Sequence, residues 1–450
     1  MKLIISKYTY FFVSSKNKYL SYNSCANSFI ELNKDLFDYL EQCQTNPELI
    51  ESISDEVLKA LTANRIIVNN DSDDKYIQEL KFRTNMFTYS QQNIGITIAP
   101  TNECNFRCPY CFEENKKSVT MADKTIDDLI AFIESHTNAK TMGITWYGGE
   151  PLLAFDSIKK ILDKLQTLPI QLKQHNIITN GYYFNNEIID FFLQNKLNFI
   201  QMTVDGNKKR HNRLRRDKDT RQGSYDVILA NADKILERMP KTFLSIRVNI
   251  DKTNSNDYLE IAKYLKERWK NYKNFEVYPG ILRIDNEDKT DLGGNAMKYN
   301  DAERFFFNLA NERTQDGIYY YNDYYPEFST KVCAATNINA YIIGAEGEIY
   351  KCWNDLTDPN KIIGYIDKKE FTNPWLFYDY VVSCKWHENE ECIKCFFLPV
   401  CHGGCAWYKL RNLRQNGKYH LCQIYNDKES LKKCLEIYYD RKIEQKTKQI

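Results

Sequence analysis

The chain has 450 residues, 43% of them hydrophobic, and is long enough for roughly three domains with buried cores. Its 61 basic and 60 acidic residues leave a net charge of +1, which argues against nucleic acid or a membrane surface as the main partner. The apolar run at the start is too short for a signal peptide, and no stretch approaches a transmembrane span. With 14 cysteines and no export signal, metal ligation by thiolates in a reducing cytoplasm is favoured over a disulfide framework.

The N-terminal part of the chain predicts a small module without metal-ligand spacing. Two strand-like runs, 8–13 and 19–22, flank a polar turn and indicate a β-hairpin. Asn33 and Ser54 are placed to begin two short helices, and residues 65–68 predict a closing strand.

After a predicted linker at 69–74, the chain alternates apolar strands with helical stretches. Six such units imply an α/β fold in which a parallel sheet curls into a partial (β/α)6 TIM-type barrel. In such a barrel the chemistry lies at the C-terminal ends of the strands. The strands are predicted at 94–99, 143–147, 174–179, 198–204, 243–250 and 274–283.

Cys104, Cys108 and Cys111 directly follow the first of these strands with the spacing C-x3-C-x2-C. They supply three thiolates where a cubane iron–sulfur cluster needs four ligands, so one iron is left open. A structural zinc site would need a fourth ligand close by, and the next histidine is the distant His136. A disulfide would leave one thiol unpaired. The open-iron cluster is therefore favoured.

Tyr110 precedes the third cysteine, and the segment 146–151 reads Trp-Tyr-Gly-Gly-Glu-Pro at the end of the second strand. Together these motifs resemble radical S-adenosylmethionine (SAM) enzymes. The resemblance implies that the open iron binds SAM and that a 5′-deoxyadenosyl radical abstracts hydrogen from the substrate. It also assigns Tyr110 to the cofactor site. Gly148 and Gly149 would let the backbone approach the cofactor, and Glu150 would accept from its ammonium group.

Polar residues also stand at the ends of the later strands. By the same resemblance, Asn180, Thr203 and Arg247 would bind the ribose and carboxylate of SAM. Each could instead be a turn residue that caps backbone groups. For Asp205, which closes the fourth strand, we expect this capping role.

A second cysteine-rich pattern occupies the C-terminal third and resembles the SPASM extension, which holds two auxiliary [4Fe–4S] clusters. The resemblance implies one complete cluster, held by Cys392, Cys395, Cys401 and Cys422. A second cluster would have three protein thiolates and one open iron, held by Cys333, Cys352 and Cys405.

Cys384 lies eight residues before Cys392 and is our preferred fourth ligand of the second cluster. If it is not a ligand, the open iron could bind a substrate thiol. A zinc ribbon around Cys392 and Cys395 is a minor alternative, because this region offers more cysteines than a closed zinc site uses. Three further cysteines fall on apolar patterns and are predicted to be ordinary buried residues: Cys25, Cys43 and Cys434.

The hairpin, helices and closing strand at the N-terminus resemble the winged-helix-like module with which peptide-modifying enzymes recognise a leader peptide. Such modules add an extended peptide as a strand to an exposed sheet edge. A merely stabilising N-terminal cap is the alternative. The predicted domains are thus this module at 1–80, a radical SAM barrel at 90–310 and a SPASM domain at 325–440.

Together these features predict a radical SAM oxidoreductase that installs a thioether or carbon–carbon crosslink in a ribosomally made precursor peptide. Its cofactors would be SAM and three [4Fe–4S] clusters, and its partners a precursor peptide with a leader and a flavodoxin- or ferredoxin-type reductant. One alternative is an anaerobic sulfatase maturase that forms formylglycine, for which the N-terminal module is superfluous. The other is a non-catalytic electron-transfer protein, which would gain nothing from an open iron.

Overall fold

The structure is a computed structural model that describes residues 2–111, 113, 118–282, 295–297, 299–312, 325–328, 333–401, 403–422 and 427–448. Its contacts divide the chain into two compact units. We call Tyr89–Phe305 with Ala334–Ser383 the barrel unit. The terminal unit comprises Met1–Thr88, Phe306–Cys333 and Cys384–Ile450. The predicted three-domain division stays a prediction. No helix within the described ranges is long and apolar enough to cross a membrane.

The N-terminal segment forms two small antiparallel sheets and three helices: β1 (Leu3–Ile5), β2 (Thr9–Val13), β3 (Tyr19–Asn23), β4 (Ser28–Leu32), α1 (Lys34–Thr45), α2 (Asp55–Ala63), β5 (Ile67–Asn69) and α3 (Ser72–Thr88). Strands β2, β3 and β4 make a three-stranded sheet, and β1 pairs with β5. The predicted hairpin is β2–β3. Asn33 caps α1 as predicted, because its side chain accepts a hydrogen bond from Leu36 N at 2.8 Å.

The predicted linker at 69–74 is wrong over its second half, where α3 begins. Asp73 and Asp74 lie in the first turn of α3, where carboxylates favour the helix N-terminus. The buried Asp73 carboxylate also accepts hydrogen bonds from Ser6 Oγ at 2.9 Å and from Lys7 N at 2.8 Å. These residues are polar because they anchor a helix, and a polar run alone cannot distinguish the two roles.

The barrel unit contains all six predicted strands: β6 (Asn93–Ile98), α4 (Asp123–Glu134), β7 (Thr141–Trp146), α5 (Phe155–Leu165), β8 (Gln171–Thr179), α6 (Asn186–Gln194), β9 (Phe199–Val204), α7 (Lys208–Leu214), α8 (Tyr225–Arg238), β10 (Phe243–Ile250), α9 (Tyr258–Arg268), β11 (Phe275–Ile281) and α10 (Tyr299–Asn311). Neighbouring strands pair in parallel and in chain order from β6 to β11. The parallel order brings the strands' C-terminal ends to one edge of the sheet, as the prediction required.

The C-terminal third adds strands to this sheet and short helices around its cysteines: β12 (Ala340–Ile343), β13 (Glu348–Tyr350), β14 (Gly364–Tyr365), α11 (Pro374–Tyr378), α12 (Glu390–Lys394), α13 (Leu398–Cys401), α14 (Ala406–Arg414) and α15 (Lys428–Lys448). Strand β12 pairs in parallel with β6, and β13 and β14 extend the sheet antiparallel, giving nine strands. The sequence patterns did not predict these three strands.

In the terminal unit, N-terminal strands share a core with the cysteine-rich segment. Phe12, Leu20 and Tyr22 are buried in one cluster with Phe397, Leu431 and Leu435. The short helices around the cysteines therefore depend on the N-terminal sheet for part of their burial.

Candidate active site

The three cysteines of the triplet lie on the loop that leaves β6. All three cysteine side chains are partly exposed. The loop is held locally, since Cys111 N donates to Cys108 O at 3.1 Å and Phe106 N donates to Cys104 Sγ at 3.4 Å. The start of the cysteine loop is hydrogen-bonded to the segment that follows the loop, because Thr101 Oγ1 donates to Val119 O at 2.8 Å. This loop presents three cysteine side chains that are not folded into a core.

The two glycines after β7 pack directly against the cysteine loop. Gly148 has φ +105°, and a Cβ there would lie 2.5 Å from Thr101 O. A Cβ on Gly149 would lie 2.6 Å from Asn102 O and closer still to Glu103 O. The backbone is also bonded across, from Gly149 N to Thr101 O at 3.2 Å and from Glu150 N to Glu103 O at 2.8 Å. The glycines thus let the Gly-Gly-Glu turn fit against the loop that carries the cysteines.

Glu150 is fully buried and joins the end of β7 to the end of β8. Its carboxylate accepts hydrogen bonds from Thr179 Oγ1 at 2.7 Å, Asn180 N at 2.7 Å and Leu152 N at 3.1 Å. Burial raises its pKa, and these hydrogen bonds oppose the rise. A carboxylate offers about four acceptor positions, so one remains for a further donor. The contact of Glu150 with the ammonium group of SAM stays a prediction.

The other predicted cofactor residues lie at the same edge of the sheet. Asn180 is buried and donates through Nδ2 to Asn105 Oδ1 of the cysteine loop at 2.7 Å. Thr203 and Arg247 are register partners on β9 and β10 and are both half-buried. A Cβ on Gly280 of β11 would lie 2.8 Å from Arg247 Cζ, so this glycine leaves room for the guanidinium. Their roles in binding SAM remain predictions.

Tyr110 of the cysteine loop meets a buried polar group that the sequence did not reveal. Its hydroxyl donates to Asp205 and accepts from Arg215 Nη1 at 3.0 Å and from Asn249 Nδ2 at 3.3 Å. Asp205 and Arg215 are only 1% and 7% exposed, so this ion-containing group is shielded from solvent. Burial raises the pKa of Asp205, and the Arg215 charge opposes that rise.

The predicted backbone-capping role of Asp205 is wrong. Its carboxylate accepts from two side chains, Tyr110 and Asn249. The capping of this strand end falls to His211, whose Nδ1 accepts from Asp205 N at 3.2 Å. Burial lowers the pKa of His211 well below its usual value, so the ring is a neutral acceptor. The acid at the strand end was the one available sequence signal. Arg215 follows α7 without any spacing that marks it.

Four cysteines of the terminal unit share one electrostatic neighbourhood. Burial raises the pKa of Cys422 to about 11, and the charges of Cys401, Cys395 and Cys392 add to that rise. Four cysteines are the number of protein ligands that a complete cubane cluster needs. The donor set in this neighbourhood therefore fits such a cluster.

The remaining cysteines are divided between the two units. Cys333 and Cys405 are exposed and belong to the terminal unit, whereas Cys352 belongs to the barrel unit. Their joint ligation of a second cluster stays a prediction. Cys384 is buried, and its Sγ donates to the carbonyl of Ala406 at 3.4 Å, the residue after Cys405. These contacts do not test whether Cys384 is a cluster ligand, so that role also stays a prediction. The expected burial is confirmed for Cys25, Cys43 and Cys434.

Comparison with known proteins identifies a domain within the chain. Residues 98–281 match the Radical SAM superfamily. The chain carries a radical SAM domain. The matched range contains the cysteine triplet, the Gly-Gly-Glu turn and the three polar strand-end residues. The prediction of a radical SAM enzyme is confirmed at this level.

Two curated relatives share limited identity with this chain. The radical SAM cyclopropyl synthase TigE of Paramaledivibacter caminithermalis is 22% identical over 238 residues, which cover 47% of this chain and 50% of that protein. The chain thus spans about half the length of that relative. A cysteine-type anaerobic sulfatase-maturating enzyme of Clostridium perfringens is 23% identical over 369 residues, which cover 74% of this chain and 95% of that enzyme.

Two solved structures share its fold. The structure of anSMEcpe with bound AdoMet and Cp18Cys peptide has a TM-score of 0.59 at 19% identity, and covers 80% of this chain and 100% of that one. Streptococcus suis SuiB bound to precursor peptide SuiA has a TM-score of 0.52 at 17% identity, and covers 94% and 99%. These similarities confirm the predicted partial barrel.

Proposed function

We propose that this radical SAM enzyme installs a thioether or carbon–carbon crosslink in a ribosomally made precursor peptide. The observation that carries the proposal is the joint between the cysteine loop and the Gly-Gly-Glu turn, which are hydrogen-bonded backbone to backbone. The joined segments carry three partly exposed cysteines and a buried carboxylate with spare acceptor capacity. When bound there, a [4Fe–4S] cluster and SAM would supply a 5′-deoxyadenosyl radical.

The chain's own residues would bind and orient the cofactors. Cys104, Cys108 and Cys111 would ligate the cluster, and Glu150 would fix the ammonium of SAM. Asn180, Thr203 and Arg247 would hold its ribose and carboxylate, with Tyr110 beside them. The cysteines of the terminal unit would hold a complete auxiliary cluster, and a second cluster would use Cys333, Cys352, Cys405 and Cys384.

The peptide substrate is supported by the N-terminal sheet and by the fold. Within the described residues, β2 and β4 are the outer strands of their sheet and each pairs with β3 alone. An outer strand can accept an extended leader as an additional strand. The solved structures that share the fold include SuiB bound to its precursor peptide. The electron would come from a flavodoxin- or ferredoxin-type reductant, and thiolate-bound clusters suit the reducing cytoplasm. We assign no role to nucleic acid or a membrane.

The test is incubation of the anaerobically reconstituted protein with SAM, a reductant and candidate precursor peptides chosen from short open reading frames beside its gene. We expect 5′-deoxyadenosine and a peptide that has lost two hydrogen atoms, because a crosslink removes one hydrogen from each joined atom. The variant with Cys104, Cys108 and Cys111 all replaced by Ala should give neither product and should bind less iron. Unchanged iron in that variant would refute the assignment of the triplet.

The same incubation distinguishes the alternatives. A sulfatase maturase would convert the cysteine of a sulfatase-derived peptide into an aldehyde, which a hydrazide reagent captures. A non-catalytic electron-transfer protein would release no 5′-deoxyadenosine from SAM with any peptide. The similarity to a sulfatase-maturating enzyme supports the first alternative. The N-terminal sheet favours a peptide substrate with a leader.

A further inference from the structure

Lys409 is a buried lysine in the cysteine-rich part of the terminal unit. It lies on α14, which begins directly after Cys405, and it is only 5% exposed. Its Nζ donates to the backbone carbonyl of Cys384 at 3.2 Å. Within the described ranges no carboxylate forms an ion pair with it. A buried ammonium without an anion is costly, so an anion is expected beside it.

The titratable groups that act on Lys409 are cysteines. Burial lowers the pKa of Lys409, and the charges of Cys392, Cys384, Cys401 and Cys405 act against that fall. The effect is mutual. Burial raises the pKa of Cys392, and the Lys409 charge opposes that rise. Two of these cysteines, Cys392 and Cys401, belong to the set of four that share one electrostatic neighbourhood.

The backbone leaves room for the ammonium at this place. Gly403 has φ +84°, and a Cβ there would lie 2.8 Å from Lys409 Nζ and 2.5 Å from Trp386 Cβ. The neighbouring buried cation, Lys385, is directed elsewhere, since its Nζ donates to Asn85 Oδ1 at 3.0 Å. The fold therefore leaves space for the Lys409 ammonium at Gly403.

We propose that Lys409 is the counter-ion of the auxiliary cluster held by Cys392, Cys395, Cys401 and Cys422, and that its charge raises the reduction potential of that cluster. This inference rests on the proposed SPASM-type cluster. Reduction makes the cluster more negative by one charge, and a fixed ammonium in a region of low dielectric stabilises the reduced state more than the oxidised one. Lys409 is thus a tuning residue and has no part in ligation.

The test is an electron paramagnetic resonance titration of the full chain in which Cys104, Cys108 and Cys111 are replaced by Ala. The signal of the auxiliary cluster is assigned by its loss in a further Cys392→Ala variant. Lys409→Met keeps the length of the side chain and removes the charge, whereas Lys409→Arg keeps the charge. Lys394→Met is the matched control, because Lys394 precedes Cys395 but is exposed.

We expect Lys409→Met to keep its iron and to shift the midpoint potential downwards, with Lys409→Arg and Lys394→Met close to the parent. An unchanged potential in Lys409→Met at full iron content would overturn the role of Lys409 alone. If Lys409→Met loses the cluster, Lys409→Gln is compared with Lys409→Arg. If only Lys409→Arg retains the cluster, the counter-ion role is supported. If Lys409→Gln and Lys409→Arg behave equally, that role is overturned. A parent protein without a Cys392-dependent signal would overturn the cluster assignment as well.

Discussion

At the scale of single residues, Gly149 shows how closely two loops of the site approach each other. A Cβ at this position would lie 2.6 Å from Asn102 O, which is backbone and cannot move without shifting the cysteine loop. We expect Gly149→Ala to cost roughly 1–3 kcal/mol of folding free energy. Because the cysteine loop is displaced, the variant should also bind less iron and cleave SAM more slowly.

Gly95→Ala is the matched control for this substitution. Gly95 lies on β6, where a Cβ would meet only Ala340 Cβ at 3.8 Å, an ordinary contact. Thermal unfolding and iron content should distinguish the two variants. If Gly149→Ala unfolds at the temperature of Gly95→Ala and keeps its iron, the tight contact between the loops is not required.

His175 gives the barrel unit a predictable response to acid. The ring is buried, Nε2 accepts from Trp146 Nε1 at 2.8 Å and Nδ1 donates to Asn195 O at 2.9 Å. Burial lowers its pKa from 6.5 to about 4. Between these values the unfolded chain binds more protons, so stability falls as the pH falls, by up to about 3 kcal/mol.

The measurement is thermal unfolding at pH 7 and pH 5. His175→Gln should be less stable than the parent at pH 7, but its stability should fall less than that of the parent between pH 7 and pH 5. An equal pH response in the parent and His175→Gln would show that His175 does not titrate as described.

At the scale of elements, α4 and α5 are joined by exposed ion pairs and by a buried apolar face. Lys164 Nζ lies 2.6 Å from Asp127 Oδ1, but both side chains are about half exposed. Leu129 on α4 has no exposed surface. We expect Leu129→Ala to cost roughly 2–5 kcal/mol and Lys164→Ala less than about 1 kcal/mol. Denaturant unfolding of both variants checks this order, and equal losses would contradict it.

At the scale of the whole molecule, the terminal unit is built from both ends of the chain. Tyr8, Ile77 and Leu80 are buried in one cluster with Trp386 and Leu398, which flank Cys392 and Cys395. Deleting the N-terminal sheet and helices would expose that cluster. The deletion is therefore not a clean test of leader recognition.

We expect the chain without residues 1–88 to lose iron from the cysteines of the terminal unit. Cys104, Cys108 and Cys111 lie in the barrel unit, so SAM cleavage without peptide serves as the internal reference. Iron analysis of the truncated and intact proteins is the measurement. A truncated protein that keeps all of its iron would show that the cysteine-rich segment folds without the N-terminal sheet.

The local part of the molecule could be predicted from the sequence. The apolar runs placed all six barrel strands, and the cysteine spacing marked a loop whose cysteines are partly exposed in the structure. These features are local, because burial on one face and ligand spacing repeat over a few residues. The prediction of a linker was wrong at the polar start of α3, where Asp73 is buried.

Tertiary structure alone decided which distant polar groups meet. Tyr110 reaches Asp205 and Arg215 across 95 and 105 residues, and Lys409 is placed among cysteines by a helix that follows them. Strand β12 joins the barrel sheet at β6 although more than 200 residues separate them. Such pairings depend on the folded path of the chain, and neither a single buried charge nor the partner of a short strand leaves a periodic trace in the sequence.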